Sequence, residues 1–269
     1  MTFLTALVHA AEHNPVDTAG LAVFTFCWLG YEPFLQKISK KSGLITKDLS
    51  IVRQAWMREM TVRELKLFDS NLMAHAVNSA THFSSANLIL IAAVAGVLFS
   101  SHLPLKSVEA LGFDVSSPLL FQIKLALVVI CLTRGLLNFI WAIRQMNYCA
   151  AAMGSLPEYM DAATARKFSD ALSNIIEPAM SNFSQGVRGY YFSIAAAAWL
   201  FGPLYLIMAS LGAIALLGWR QSRSKAARGL RQLRELLEEH PYPTPTRPLH
   251  EVHGPFTKNT ATQNNNDAT

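Results

Sequence analysis

The hydrophobic positions of this chain form long continuous blocks, and polar stretches separate the blocks. An α-helix needs about 20 apolar residues to cross the roughly 30 Å hydrocarbon core of a bilayer, and the blocks reach that length. We therefore predict an all-α, polytopic membrane protein with about four transmembrane helices plus amphipathic cytoplasmic helices. The helical membrane domain would cover residues 16–219, with spans at about 16–35, 71–101, 118–143 and 189–218.

The segments outside the spans have other patterns. Residues 46–68 place Trp56 and Met60 near one apolar face with charges elsewhere, which predicts a helix on the inner membrane surface. Residues 157–183 are polar and helix-prone, so we expect a cytoplasmic helical region that Pro178 ends or bends. The remaining predictions are an N-terminal segment outside the membrane at 1–15, a basic helix at 220–240 and a disordered tail at 241–269.

Flanking charges predict the topology but leave the last block open. Acidic residues precede the first span and lysines follow it, which places the N-terminus outside. Four spans that begin outside also end outside, yet Arg220 and further arginines follow the last block. Either one helix kinked at Gly202 and Pro203 defies the rule, or two half-helices re-enter around this hinge and return the tail to the cytoplasm.

Composition supports a lipid environment. Only 15% of the residues are charged and 51% are hydrophobic, whereas roughly a quarter of an ordinary soluble domain is charged. The formal net charge is +5, but the basic residues flank apolar blocks, so we expect anionic lipids and not nucleic acid as partners. We place the protein in the inner (cell) membrane of a bacterium.

The second predicted span carries a polar stripe. Its members, spaced four, three, four and three residues apart and so on one helical face, are Asn71, His75, Asn78, His82 and Ser85. Two interpretations stay open: polar side chains that join helices in lipid, or the wall of a water-filled pathway or ligand site. No metal-binding signature accompanies the histidines, so we predict neither metal nor cofactor.

The third predicted span places Arg134 close to the middle of the membrane, with Asn138 one turn further on. A cation at that depth costs at least about 2.5 kcal/mol unless it is paired, hydrated or turned to the protein interior. Arg134 and Asn138 therefore join the stripe as candidates for a ligand site or pathway.

Three short motifs occur along the chain, each at one position. They are R-x-x-W at Arg53–Trp56, I-R-x-x-N-Y at Ile143–Tyr148, and G-x-R-x-Y-Y-F at Gly186–Phe192 followed by W-L-F-G-P at Trp199–Pro203. In order and spacing they resemble an uncharacterised membrane family, catalogued as domain of unknown function five-ninety-nine, with Tyr148 in place of the family's usual His. The resemblance covers about Asp17 to Leu211 and implies four membrane helices, but no established activity.

The motifs place basic and aromatic residues at the predicted cytoplasmic boundary. This set comprises Arg53, Trp56, Arg144, Asn147, Tyr148, Arg188 and Tyr191. Guanidinium groups suit planar, multidentate binding of phosphate or carboxylate. The set is either one anion site or a group of anchors that fix topology and contact anionic lipid head groups.

Three classes of function follow from these residues. The first is an oligomeric solute or anion pathway, in which a homo-oligomer is lined by the polar residues of the second and third predicted spans. The second is an accessory or scaffold protein that binds anionic lipids or a membrane-protein partner. The third, an intramembrane enzyme, lacks support because no nucleophile, paired carboxylates or metalloprotease motif occurs at a usable spacing.

Overall fold

The computed structural model describes residues 15–39, 45–63, 65–100, 105–110, 112–115, 117–157 and 160–239, without the side chains of 32–39 and 105–107. All regular structure within these residues is helical. The helices are α1 (Pro15–Ser39), α2 (Ile45–Val62), α3 (Leu67–Leu98), α4 (Leu105–Ala110), α5 (Pro118–Gly154), α6 (Ala162–Ala198), a 3-10 turn (Trp199–Phe201), α7 (Pro203–Ser222) and α8 (Lys225–Glu239). The predicted segment 1–15 (except Pro15) and tail 241–269 lie outside the described residues.

The helices identify an all-α membrane protein. By length and apolar composition, three described segments suffice to cross a bilayer: Leu67–Leu98, Pro118–Gly154 and Pro203–Glu239. The third contains α7 and α8, and its apolar residues belong to α7. The prediction of an all-α membrane protein is therefore confirmed.

α5 and α6 form a long antiparallel pair. A methyl group placed on Gly189 would lie 3.3 Å from the Cα of Gly135, so the two backbones nearly touch there. Further along, Asn182 donates a 2.7 Å hydrogen bond to Gln145. α3 also packs against α5 close to Gly135, and Asn87 donates to a backbone carbonyl of α5 at 2.9 Å. Each helix of the pair has 37 residues, or about 55 Å, which exceeds a bilayer core.

α1 and α7 lie parallel to each other. Gly20, near the start of α1, contacts Pro203 at the start of α7. Near the other end of the contact, Gln221 donates a 3.0 Å hydrogen bond to the hydroxyl of Tyr31. We call the end of the bundle with Trp199 and Pro203 the outer end, and the end at which α2 and α8 pack the inner end.

The two halves of the bundle have separate cores. Towards the outer end, the apolar cluster includes Phe24, Phe192 and Trp199 from α1, α6 and the 3-10 turn. Towards the inner end, a methionine-rich cluster joins α2 and the start of α3 to α5 and α6, with Met57 and Met146 fully buried. The first half of α3 is thus part of the inner layer.

The last apolar block differs from a single span over 189–218. α6 is continuous from Ala162 to Ala198, and α7 begins only at Pro203. Between them Gly202 has φ +131° and ψ 164°, a conformation that is nearly restricted to glycine. The chain reverses there, because Arg220 of α7 returns to bond the Tyr191 hydroxyl of α6. The hinge predicted at Gly202 and Pro203 is therefore a turn between two antiparallel helices.

Other predicted boundaries also differ. α6 joins the predicted cytoplasmic region 157–183 to the next apolar block and continues through Pro178. α5 extends past residue 143 to Gly154, and α2 ends at Val62 instead of 68. Hydrogen bonds within a helix pair the backbone N–H and C=O groups in water and in lipid alike. A change from polar to apolar sequence therefore need not end a helix.

Candidate functional site

A large crevice opens at the inner end of the bundle between α2, α6, α7 and the start of α8. Its volume is 420 Å³, and we call it the inner crevice. Much of its wall is apolar, with Leu49, Phe183 and Leu217 among the lining residues. Three arginines, Arg53, Arg188 and Arg220, also line it, and none of its described lining residues is acidic.

Arg53 is neutralised by a carboxylate. Its Nε and Nη2 donate to the two carboxylate oxygens of Glu177 at 2.8 and 2.6 Å, a bidentate pair between α2 and α6. The side chain of Arg53 is 11% exposed and that of Glu177 is 34% exposed. Arg53 therefore fixes one wall of the crevice, and its charge is compensated before any ligand arrives.

Arg188 and Arg220 are the other two arginines of the crevice wall. Arg220 donates to the Tyr191 hydroxyl and forms no ion pair with any described carboxylate. Arg188 lies over the ring of Tyr31, with its guanidinium carbon 5.8 Å from the ring centroid. Of the predicted boundary set, the structure thus brings Arg53, Arg188 and Tyr191 to one space.

The remaining boundary residues lie elsewhere. Arg144 is exposed, stacks on Trp141 at 5.6 Å and donates to the Tyr148 hydroxyl at 2.9 Å. Asn147 is also exposed. Trp56 donates a 2.7 Å hydrogen bond to the fully buried Asp69 at the start of α3. None of these four lines the inner crevice, so the seven residues do not form one cluster.

Arg134 and Asn138 border a second, small cavity of about 30 Å³ between α1, α5 and α6. Arg188 lines this cavity as well as the inner crevice. Arg134 therefore lies level with Arg188, and its guanidinium carbon is 5.0 Å from the centroid of Trp28. The shared cavity places Arg134 of α5 beside Arg188 of α6.

The polar stripe of the second predicted span faces outwards. Its members Asn71, His75, Asn78, His82 and Ser85 are all exposed, and α3 buries Met73, Ala80 and Asn87 instead. His75 and Asn78 also lie beside the inner methionine-rich layer, because Met73 and Ala80 belong to that cluster. None of the stripe residues lines the small cavity that Arg134 borders.

Several residues of the site have no clear signal in the sequence. Gln221 lines the inner crevice, and its Oε1 is buried without a hydrogen-bond donor. Arg220 falls at the start of the predicted basic helix, although it lines the crevice. The sequence pattern does not predict that Gln221 and Arg220 line a crevice, because both reach it only through the turn at Gly202, which directs α7 to the inner end.

The outer end has its own polar contacts. Lys124 is fully buried, and its Nζ donates to Asp114 Oδ2 at 2.8 Å. Within the described part of the chain, no three His, Cys, Asp or Glu residues lie together as a metal site would require. These contacts join the loop before α5 to the bundle.

Comparison with known proteins places the chain in a family without defining an activity. No curated protein matches it, and no solved structure does. A family model described as "Protein of unknown function, DUF599" matches residues 19–226, which include every helix from α1 to α7 apart from the ends. The chain belongs to the DUF599 family of proteins of unknown function.

Proposed function

We propose that this protein is a multi-pass membrane protein that binds an anionic amphiphile where the bilayer meets the cytoplasm. The observation that carries the proposal is the inner crevice, which combines a 420 Å³ volume and an apolar wall with Arg188 and Arg220. A hydrocarbon chain suits the apolar wall, and a phosphate or carboxylate suits two guanidinium groups. Anionic lipids have both parts.

The position of the boundary supports this choice. Arg134, Arg188 and Arg220 lie near one level beside Trp28 and Tyr31. Tryptophan and tyrosine favour both membrane–water interfaces, and basic residues favour the cytoplasmic one. α7 begins at Pro203 at the outer end and reaches Arg220 at this level 17 residues later (220 − 203), which is a rise of about 26 Å. That length approaches the roughly 30 Å of a hydrocarbon core.

We infer five membrane crossings, by α1, the apolar half of α3, the first part of α5, the last part of α6, and α7. An N-terminus outside then leaves α8 in the cytoplasm together with α2. The arginines after α7 obey the positive-inside rule in this arrangement, whereas four crossings would violate it. α1 and α6 are not among the three described segments that transmembrane length and hydropathy alone select, so these two crossings are inferred from the packing of α1 on α7 and of α6 on α5.

Gln221 narrows the ligand class further. Its Nε2 donates to the Tyr31 hydroxyl, while its Oε1 is buried without a donor. A buried acceptor without a partner costs about 1–3 kcal/mol, which a hydroxyl group on the ligand would recover. We therefore favour an anionic head group that also carries a hydroxyl, such as phosphatidylglycerol.

Native mass spectrometry from nanodiscs tests the proposal. The discs contain phosphatidylglycerol and phosphatidylcholine in equal amounts, and the wild type should retain phosphatidylglycerol as a tight adduct. Arg188→Gln and Arg220→Gln should each lose most of it, because each removes a charge-assisted hydrogen bond worth about 1.5–3 kcal/mol, roughly 10-fold or more in affinity. Arg223→Gln is the matched control, since Arg223 is exposed three residues further on and lines no crevice.

Two arms distinguish the sources of the anion. Inorganic phosphate at millimolar concentration displaces the adduct only if the site recognises the head group alone. Equal adduct loss in the Arg223→Gln control would show a general surface-charge effect and contradict the proposal. Retention of phosphatidylcholine in equal amount would contradict it too.

A second candidate is the anion pathway in a homo-oligomer. One observation favours it: the polar stripe of α3 is exposed on a single chain, so a second copy is able to cover it. Native mass of a defined oligomer, together with chloride or phosphate flux in proteoliposomes that Asn78→Leu abolishes, would support the pathway. A monomeric protein that shows no anion flux would contradict the pathway and favour amphiphile binding.

A further inference from the structure

One side of α8 packs against the protein through a charged contact. Nη1 of Arg234 lies 3.1 Å from a carboxylate oxygen of Asp48 in α2, and Asp48 is fully buried. Ala227 is 1% exposed and lies two helical turns before Arg234, so both belong to the same side of α8. The docking side of this helix therefore carries an arginine in an ion pair and a small residue, and no large apolar side chain.

The leucines of α8 lie on another side. Leu233 and Leu236 are three residues apart on one face, and they are 40% and 54% exposed. Leu230 and Leu237 lie next to them and are half-buried. None of these four leucines belongs to either apolar cluster of the bundle. A surface helix of a globular protein turns its apolar face to the core, so α8 has the reverse arrangement.

The third side of α8 is polar. Arg228, Glu235 and Glu239 are exposed, and together they carry both signs of charge. Glu235 comes two residues after Leu233, which places it about 200° around the helix, on the opposite side. Charges of both signs suit water, whereas four neighbouring leucines suit an apolar surrounding. The two exposed sides of α8 thus favour different surroundings.

We propose that the leucine face of α8 lies in the lipid leaflet at the inner end of the bundle, where head groups meet acyl chains. α8 begins at Lys225, directly after α7, and α7 is the apolar part of a segment long enough to cross a bilayer. The last turns of α7 also expose Leu216 and Trp219, at 43% and 57%. Exposed apolar surface therefore continues along the chain from the crossing helix into α8. An interfacial helix has this combination of a leucine-rich face and a charged face.

A second copy of the chain is a less suitable cover for this face. The spacing of Leu230, Leu233 and Leu237 also fits a coiled coil, but α8 has only 15 residues, about two heptads. Coiled coils are sustained over at least about three heptads, whereas a lipid surface needs no matching helix. Leu233 and Leu236 line neither the inner crevice nor the small cavity, so the proposal does not depend on the amphiphile.

Spin labels on single introduced cysteines test the proposal in full-length protein, in nanodiscs of phosphatidylcholine and phosphatidylglycerol. Leu233→Cys and Leu236→Cys report on the leucine face, and Glu235→Cys on the polar face is the matched control. Met208→Cys, at an exposed position of α7, is the reference for lipid. Power saturation measures collisions with oxygen, which concentrates in lipid, and with a nickel chelate, which stays in water. The native cysteines are buried, so the label should attach at the introduced position.

The labels at positions 233 and 236 should collide more often with oxygen and less often with the chelate than the label at 235. They should lie shallower than the label at 208, because an interfacial helix inserts its apolar face by about 5–10 Å. Chelate access at 233 and 236 equal to that at 235 would show a hydrated face and overturn the proposal. Low access to both reagents would show a cover of protein, and dipolar coupling between labels on two copies would identify that cover as a second chain. Either of these results also overturns it.

Discussion

Trp199 Nε1 donates a 2.6 Å hydrogen bond to Asp17 Oδ1, although 182 residues separate the two in the chain. Both side chains are buried at the outer end of the bundle. Trp199 stands in the 3-10 turn directly before Gly202, and Asp17 lies in the first turn of α1. The bond therefore attaches the first helix to the turn that directs α7 back to the inner end.

Replacement of Asp17 should weaken this attachment. Asp17→Leu leaves the buried indole N–H without an acceptor, so we expect a loss of about 1.5–3 kcal/mol, the value of a hydrogen bond to a charged group. Asp17→Asn keeps an acceptor oxygen and should lose less. Thermal unfolding of the detergent-solubilised protein measures both. Thr25→Val is the control, because Thr25 is exposed on the same helix and bonds only the carbonyl of Leu21.

The turn at Gly202 should tolerate no side chain. A residue with a Cβ is strained at φ +131° and ψ 164°, by about 1–3 kcal/mol. Gly202→Ala should therefore lower the unfolding temperature and the yield of monodisperse protein. Gly218→Ala is the matched control, since a methyl group there meets no atom within 4 Å inside α7. Equal behaviour of the two variants would contradict the turn geometry.

Sequence patterns predicted the helical class and located the hinge, but they did not predict the direction of the chain after it. A kinked helix and a hairpin have the same hydropathy around Gly202 and Pro203. They differ in backbone angles and in distant contacts such as Arg220 with Tyr191. The contact between Arg220 and Tyr191 depends on the packing of α7 against α6, which the local sequence does not specify.

Burial explains the other limits of prediction. The period of the α3 stripe correctly placed His75 and His82 on one face, yet a period does not reveal whether that face is covered. The structure covers the opposite face, through Met73, Ala80 and Asn87. For Arg134, the position within an apolar block predicts a depth in the membrane, but it does not predict the cavity that Arg134 shares with Arg188, because that cavity needs the packing of α5 on α6.

Five crossings predict that α2 and α8 share one side of the membrane. Arg58→Cys on α2 and Arg228→Cys on α8 should both react with an impermeant maleimide in inverted vesicles, and Glu109→Cys on α4 should react only in right-side-out cells. All three positions are exposed. The native cysteines Cys27, Cys131 and Cys149 are buried, so their background should be low. Labelling of Arg228→Cys and Glu109→Cys from the same side would exclude the five-crossing topology.

The start of α6 should contribute a pH-dependent stabilisation. Asp161 caps this helix by accepting a hydrogen bond from the backbone N–H of Thr164, and hydrogen bonds with Thr164 lower the pKa of Asp161 below its usual value. A lowered pKa means that the stabilisation is present at neutral pH and is lost as the pH falls through the folded-state pKa. Asp161→Ala should thus unfold at a lower temperature than wild type at pH 7, and this difference should shrink towards pH 3.

The bidentate pair between Arg53 and Glu177 gives the last prediction. Arg53→Lys keeps the charge but cannot donate two parallel hydrogen bonds, so α2 should dock less firmly on α6. We expect a loss of about 1.5–3 kcal/mol, the value of one hydrogen bond to a charged group, and a larger loss in Arg53→Ala. Hydrogen exchange of the α2 amides, followed in nanodiscs, measures the docking directly.

The control for this pair is Arg58→Lys, because Arg58 is an exposed arginine of the same helix α2. Faster exchange confined to α2 in Arg53→Lys, with unchanged α2 exchange in Arg58→Lys, is the expected result. Because Arg53 also lines the inner crevice, the same variant should weaken amphiphile retention. If retention falls while α2 stays protected, Arg53 contacts the ligand itself. If protection and retention fall together, Arg53 acts by holding the wall of the crevice in place.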